Sequence, residues 1–341
     1  MKPSLSSHKL LALMKNNHVT ILDVRGQDEF NRGHIFGAVN IPVDDLTNRH
    51  NEVQSDKVIV TYCGKGAGRS ERAAKLLTEK GKNAFWLEGG YLDWPFFSPN
   101  SPQKEESMIF HQLFEKESSS YTYLLADPLT REAIIIDPVL ETVDRDLKLL
   151  EELDLNLLYI LETHIHADHI TGSNEIKKRT GAKSAVSKKA GVCCADLEIE
   201  ENHEIKFGRY TLKVLETPGH TDESLSFLCE KMVFTGDSLM IRATGRTDFQ
   251  NGSSEVLYES IHKKIFSLPD DTKVYPAHDY KGIAYSTVES EKEFNPRIGV
   301  GKTKEEFVEI MKNLKLADPK KIHEAVPANL ACGQIQSQVT P

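Results

Sequence analysis

Short apolar runs recur along the chain, separated in the first hundred residues by helically patterned stretches. In the first hundred residues the pattern predicts a helix over Ser6 to Met14, a strand over Val19 to Val24, a second strand over Lys57 to Tyr62 and a helix over Ser70 to Lys80. Strands alternating with helices predict a parallel sheet covered on both faces. Farther along, apolar runs predict strands at Tyr121 to Leu125, Ala133 to Ile136, Leu157 to Glu162, Tyr210 to Leu215, Met232 to Thr235 and Lys273 to Tyr275. Several of these runs lead directly into histidine or aspartate. Between Trp94 and Met108 the chain reads PFFSPNSPQKEES, with three prolines, three serines and three charged residues, the composition of a linker. The resulting division is a domain over 1–95, a linker over 96–107 and a second domain over 108–341, each domain of ordinary size.

Composition agrees with two soluble cores, since 341 residues at about 150 per domain give roughly two domains. Forty-two basic against 51 acidic side chains leave a formal charge of −9, which argues against general affinity for nucleic acid or an anionic membrane. A small anionic substrate must therefore be met by local positive groups. The apolar stretch Leu157 to Leu161 is far shorter than the roughly 20 residues that span a bilayer, so no membrane crossing is expected. The apolar patch Leu10 to Met14 is too short for a signal-peptide core, so export is not expected. Five cysteines, at 63, 193, 194, 229 and 332, form an odd, irregular set that fits thiols in a reducing cytoplasm. Cys193, Cys194 and Cys229 read as inert buried residues, and no regulatory role is assigned to Cys332.

Cys63 is the exception. It ends the run VIVTY and is followed by Gly64-Lys65-Gly66-Ala67-Gly68-Arg69-Ser70 and a helical pattern. Glycines let successive N–H groups turn inward, and a helix N-terminus adds partial positive charge, so the loop forms an anion cradle. A cysteine there has a depressed pKa and serves as a thiolate nucleophile. Lys65, Gly66 and Gly68 line the cradle, and Arg69 at its mouth is suited to a bidentate contact with an oxyanion. The competing reading, a small buried residue before a turn, does not account for the accompanying lysine and arginine.

A second constellation lies in THIHADHITG, which places His164, His166, Asp168 and His169 within six residues, directly after the run LLYILE. Imidazoles and carboxylates at this density would repel or remain unsatisfied without a cation. His220 in TPGHTDES, Asp237 in FTGDSL and His278 in YPAHDY follow other predicted strands, giving seven candidate ligands on four loops.

The segments ILDVRGQDEFNRGHIFGAVNIP, VIVTYCGKGAGRSERAAKLL and FWLEGGYLDW resemble the rhodanese family of sulfurtransferases over residues 5 to 95. The resemblance implies that Cys63 carries sulfane sulfur as a persulfide. Arg69 follows Cys63 by six residues where the usual sulfurtransferase loop has five, as in related phosphatases and arsenate reductases. The histidine and aspartate set resembles the metallo-β-lactamase superfamily, which implies an αββα sandwich beside the rhodanese-like parallel sheet, an α/β protein throughout. Asp237 stands where true lactamases commonly use cysteine, which disfavours antibiotic hydrolysis.

Two branches remain. The stretch TGDSLMIRATGRTDFQNGSSEVLYESIHKKIFSLPDDTKVYPAHDYKG and the tails FNPRIG and AVPANLACG resemble the persulfide dioxygenase family over about 108 to 335. The resemblance implies one Fe(II) per chain on His164, His220 and Asp237, with His166, Asp168, His169 and His278 orienting ligands and solvent, and with Arg246 and Tyr280 contacting glutathione. An equally weighted alternative pairs Arg246 with Asp248 and packs Tyr280 on the sheet. The implied function is O2-dependent oxidation of glutathione persulfide to sulfite and glutathione, joined to sulfur transfer between thiosulfate or sulfite and glutathione at Cys63. The other branch is a two-zinc glyoxalase II thioesterase acting on acylglutathione, with an accessory first domain. Partners on either reading are small molecules, and the oligomeric state is left open, a homodimer included.

Overall fold

The apolar runs become strands in a computed structural model that describes residues 4–15, 18–35, 37–54, 57–92, 94, 107–319 and 321–334. The linker expected over 96–107 lies outside the described residues except for Ser107. The chain divides into two compact units, Met1–Ser107 and Met108–Pro341.

In the first unit, β1 (Ser4–Leu5), α1 (Ser7–Lys15), β2 (Val19–Asp23), α2 (Gln27–Asn31), β3 (Val39–Asn40), α3 (Leu46–Arg49), β4 (Val58–Tyr62), α4 (Arg69–Glu79) and β5 (Ala84–Leu87) follow one another. The sheet order is β1-β5-β4-β2-β3, and every pairing is parallel. α4 buries Ala73, Ala74 and Leu77 in a core shared with Leu22, Ile59 and Cys63.

The second unit contains β6 (Ile109–Glu115), β7 (Ser120–Ala126), β8 (Glu132–Ile136), α5 (Val143–Glu152), β9 (Asn156–Leu161), α6 (Ser173–Thr180), β10 (Lys183–Ser187) and β11 (Leu197–Ile199). It continues with β12 (Glu204–Phe207), β13 (Tyr210–Glu216), β14 (Leu225–Cys229), β15 (Met232–Gly236), α7 (Ser254–Ser260), β16 (Lys273–Pro276), β17 (Ser286–Thr287), α8 (Val288–Phe294), α9 (Lys304–Lys312) and α10 (Ile322–Leu330). Two six-stranded sheets form, ordered β11-β10-β9-β8-β7-β6 and β12-β13-β14-β15-β16-β17. Tyr123, Phe207, Phe227, Phe234 and Tyr275 fill the layer between them. Truncating one such phenylalanine to alanine costs about 3–5 kcal/mol. A second layer joins the first sheet to Val143 and Leu150 of α5 and Ile176 of α6. A third joins the other sheet to Leu257 of α7 and to Phe307 and Met311 of α9. The result is an αββα sandwich.

Strand direction gathers the chemistry. β8 and β9 run parallel in one sheet. In the other, β15 and β16 are parallel, and β13 shares their direction because both β13 and β15 pair antiparallel with β14. The loops after β9, β13, β15 and β16 carry His164 to His169, His220, Asp237 and His278 respectively. Among the described residues, no helix is long and apolar enough to cross a membrane.

Candidate functional site

The first unit places Cys63 after β4, almost wholly buried. Its Sγ lies 3.0 Å from the carbonyl oxygen of Ala67 and 3.3 Å from Ser70 Oγ. Burial raises the thiol, but the Ser70 hydroxyl and backbone groups of Ser70, Ala67 and Lys65 outweigh it and hold Cys63 below its ordinary value. The loop has room only for glycine at one point, since a Cβ on Gly66 would stand 2.3 Å from the backbone nitrogen of Gly90. Gly66 is buried, while Lys65 and Gly68 are exposed. Arg69 is not free at the mouth as the sequence suggested: its Nη1 and Nη2 donate to Glu29 at 2.7 and 3.1 Å. Behind the cradle, Arg25 is fixed by Asp23 and stacks 4.2 Å from the Tyr91 ring centroid, and Tyr91 N–H donates to the Cys63 carbonyl.

In the second unit, His164, His220 and Asp237 bring one ligand atom each within 4.8 Å of one another. Hydrogen bonds fix which atoms these are. His164 Nδ1 lies 2.9 Å from Thr163 Oγ1, whose hydroxyl donates to Asp137, and His220 Nδ1 donates to the carbonyl of Arg246 at 2.7 Å. Both Nε2 atoms therefore face inward. Asp237 Oδ1 receives His278 Nδ1 at 2.7 Å, leaving Oδ2 on the side of His220 Nε2, 3.6 Å away. Burial, together with the charges of His166 and His220, keeps His164 well below the ordinary imidazole pKa. Burial raises Asp237, but His278, His220 and His164 together hold it below the usual carboxylate range. A neutral imidazole and an ionised carboxylate are the forms that bind a divalent ion, so the donor set fits one metal with open positions.

His278 and its neighbours bond to one another. His278 Nε2 lies 3.0 Å from Asp168 Oδ2, and the same oxygen takes His169 Nδ1 at 2.9 Å and Ser120 Oγ at 3.0 Å. His166 turns to Asp137 and Glu162, 3.2 and 3.6 Å away. All seven histidine and aspartate candidates thus meet at one edge of the sandwich.

Arg246 takes the pairing weighed against substrate contact: Asp248 receives its Nε and Nη2 at 2.6 and 2.7 Å, and the Ala317 carbonyl its Nη1 at 2.8 Å. Tyr280 does not pack into the sheet. It is 72% exposed, its ring parallel to that of His278 with centroids 6.0 Å apart.

Several contributors escaped the sequence reading. Asp137 follows β8 as the ligands follow their strands, a signal present in the run EAIIID, and Glu162 sits one residue past β9. Asn329 donates to the carbonyls of His166 and His169 and accepts from Thr171 N–H, while Glu223 accepts Ile165 N–H, so two distant residues pin the histidine loop. Gly245 passes so close that a Cβ there would lie 2.8 Å from His220 Nδ1.

The cysteines require a correction. Cys194 and Cys332 form a disulfide and Cys193 is exposed, so neither Cys193 nor Cys194 is an inert buried thiol. Docking of the C-terminal segment joins residues 138 apart, which spacing alone does not reveal. Cys229 is buried and its thiol is pushed up to about 12 by burial.

A family profile described as a Rhodanese-like domain matches residues 6–95, and one described as the Metallo-beta-lactamase superfamily matches residues 116–192 and 195–278. The second unit also aligns with relatives over most of their length. The mitochondrial persulfide dioxygenase ETHE1 of Homo sapiens is 50% identical over 229 residues, 66% of this chain and 89% of that protein. The crystal structure of ETHE1 from Myxococcus xanthus is 52% identical, with a TM-score of 0.65, covering 67% of this chain and all of that one. A metallo-β-lactamase structure from Staphylococcus aureus is 27% identical, with a TM-score of 0.63, covering 69% of this chain and 76% of that one. The chain belongs to the persulfide dioxygenase family within that superfamily, joined at its N-terminal side to a rhodanese-like domain.

Proposed function

We propose that the second unit oxidises glutathione persulfide to sulfite and glutathione with one Fe(II) held by His164, His220 and Asp237, and that Cys63 transfers sulfane sulfur between thiosulfate or sulfite and glutathione. The observations that carry the reading are the converging donor atoms of His164, His220 and Asp237 and the 50% identity over 229 residues with a persulfide dioxygenase. When bound, the iron supplies a redox-active centre at which a persulfide sulfur and dioxygen can meet. The chain's residues set the stage for that meeting. Thr163 and the Arg246 carbonyl aim the two imidazoles, and His278 aims Asp237. On this reading Tyr280, exposed beside His278, touches the thiol adduct. Arg246, already held by Asp248, shapes the loop whose carbonyl orients His220.

The overall oxidation balances with one O2 and one water per persulfide: the sulfane sulfur loses four electrons, O2 gains them, the S–S bond breaks and glutathione leaves with a proton. At Cys63 the thiolate attacks the outer sulfur of thiosulfate, sulfite departs, and a glutathione thiolate then takes the sulfur from Cys63 without net redox change. The lowered thiol pKa and the cradle of backbone groups support this step. The substrates are small molecules.

Anaerobically prepared protein of measured metal content, given glutathione persulfide in an oxygen electrode, is expected to hold about one iron per chain and to consume one O2 per sulfite formed. Two zinc ions per chain with hydrolysis of an acylglutathione would overturn the reading. Cys63→Ser is expected to abolish transfer from thiosulfate to glutathione while leaving oxygen uptake intact, and His220→Ala to do the reverse.

A further inference from the structure

The loop 245–253, between β15 and α7, touches both of the loops that carry the histidines of the His164, His220 and Asp237 group. Its Arg246 carbonyl receives His220 Nδ1 at 2.7 Å, and four residues later Gln250 Nε2 donates to the Ile165 carbonyl at 2.8 Å. Ile165 directly follows His164. Its N–H goes to Glu223, three residues beyond His220, at 3.0 Å, so both backbone groups of Ile165 are held from outside its own loop. The rings of His164 and His220 lie with centroids 5.0 Å apart and planes at 84°. That relation depends on where the peptide after His164 is fixed.

Gln250 makes its contact from an unfavourable backbone. Its φ is +48° and that of Asn251 is +56°, two consecutive left-handed residues of which neither is glycine. Asparagine is enriched in that region, whereas glutamine is not. Glycine follows at the next position, where a Cβ on Gly252 would stand 2.6 Å from the Thr247 carbonyl oxygen. Gln250 Oε1 is moreover buried without a partner among the described residues. A left-handed glutamine and an unpaired buried acceptor each destabilise the fold, and they persist only where surrounding contacts over-determine them. The contact of this side chain that offsets them is the bond to Ile165.

We propose that Gln250 is a positioning residue: its amide fixes the Ile165 carbonyl and thereby holds His164 at the distance and angle from His220 that a shared metal ion requires. Residues 246 and 250 of one short loop thus set both imidazoles, one through a backbone carbonyl and the other through a side-chain amide. The proposal rests on His164 and His220 being ligands of the same ion.

The test reads metal geometry, not turnover. Full-length wild type, Gln250→Gly and Asn251→Gly are prepared metal-free and titrated with Co(II), whose visible absorption band reports the arrangement of its ligands. Glycine at 250 removes the amide and relieves the left-handed backbone together. The metal-free variant is therefore expected to melt no lower than the wild type, so that weaker binding does not trace to a looser fold. Its Co(II) dissociation constant is expected to rise about ten-fold, with a shifted band. Asn251→Gly relieves the neighbouring residue, whose amide reaches Asp222, and is expected to keep the wild-type affinity and band. A Gln250→Gly protein with an unaltered band overturns the proposal, whether its affinity is unchanged or reduced. If Gln250→Gly melts lower or does not fold, Gln250→Met keeps the length of the side chain and drops the N–H; a shifted band then supports the proposal, and an unaltered one overturns it. A His220→Ala protein that shows the wild-type band overturns instead the ligand assignment on which the proposal rests.

Discussion

Glu29 determines what Arg69 does. The two side chains are about 40% exposed, and Arg69 holds the Glu29 carboxyl down to about 2. An exposed pair of this kind contributes less than about 1 kcal/mol, so an incoming sulfonate can compete for the guanidinium at small cost. Glu29→Gln is expected to lower the KM for thiosulfate roughly two- to five-fold with kcat little changed, checked by steady-state kinetics of sulfur transfer to glutathione; a raised KM would show that Glu29 holds Arg69 in its working position. Gly245 sets a stricter demand, because a methyl group there meets the Asp237 carbonyl at 2.3 Å and the His220 ring at 2.8 Å. Gly245→Ala is expected to weaken metal binding at least about ten-fold through displacement of His220, measured by competition with a chelating dye. At this scale the sequence displayed the types that bind metal, because histidines clustered after apolar runs have little other use. It did not display partners fixed by folding: Glu29 lies 40 residues from Arg69, and Asp137 lies 27 from His164.

Elements were legible where burial is written in apolar side chains. The runs over β2, β4, β7, β8, β9, β13, β15 and β16 each announced a strand, while β10 (KSAVS), equally interior, was hidden by its serines, and β6, partly exposed along its length, carried mixed residues. Helices of the second unit went unread because α5 and α6 are short and charged, with apolar faces visible only against their sheet. α5 also carries a polar exception to its own face. Asp146 is buried, with one oxygen 2.8 Å from Arg145 Nε and the other without a partner, and burial pushes its carboxyl up to about 6. Between the ordinary value of 3.8 and about 6, the folded chain keeps a proton that the unfolded chain has lost, so stability falls as pH rises through that window. The loss is about 1.4 kcal/mol per pH unit and roughly 3 kcal/mol in all. Asp146→Asn, neutral throughout, is expected to match the wild type near pH 4 and to exceed it by about 2–3 kcal/mol at pH 7, read from urea midpoints at each pH.

At the scale of the whole molecule, linker composition and the change of motif marked two units, whereas the closure of the second unit on itself was invisible. The disulfide between Cys194 and Cys332 anchors the segment after α10 to the chain before β11, and Asn329, three residues before Cys332, holds the backbone of the histidine loop. Ile165 of that loop packs in the same small cluster as Cys332, Val186 and Val192. A cross-link spanning 138 residues restricts the unfolded chain far more than the folded one, an effect of about 3 kcal/mol. In a unit of this size that corresponds to a fall in Tm of roughly 6–12 °C on reduction. Calorimetry with and without a thiol reductant is expected to show this fall for the wild type, confined to the transition of the second unit. Cys332→Ser should unfold at the lower temperature in both conditions. A wild-type transition indifferent to the reductant, with both cysteines shown by thiol labelling to be reduced, would mean that the clamp rests on Asn329 and the apolar cluster alone.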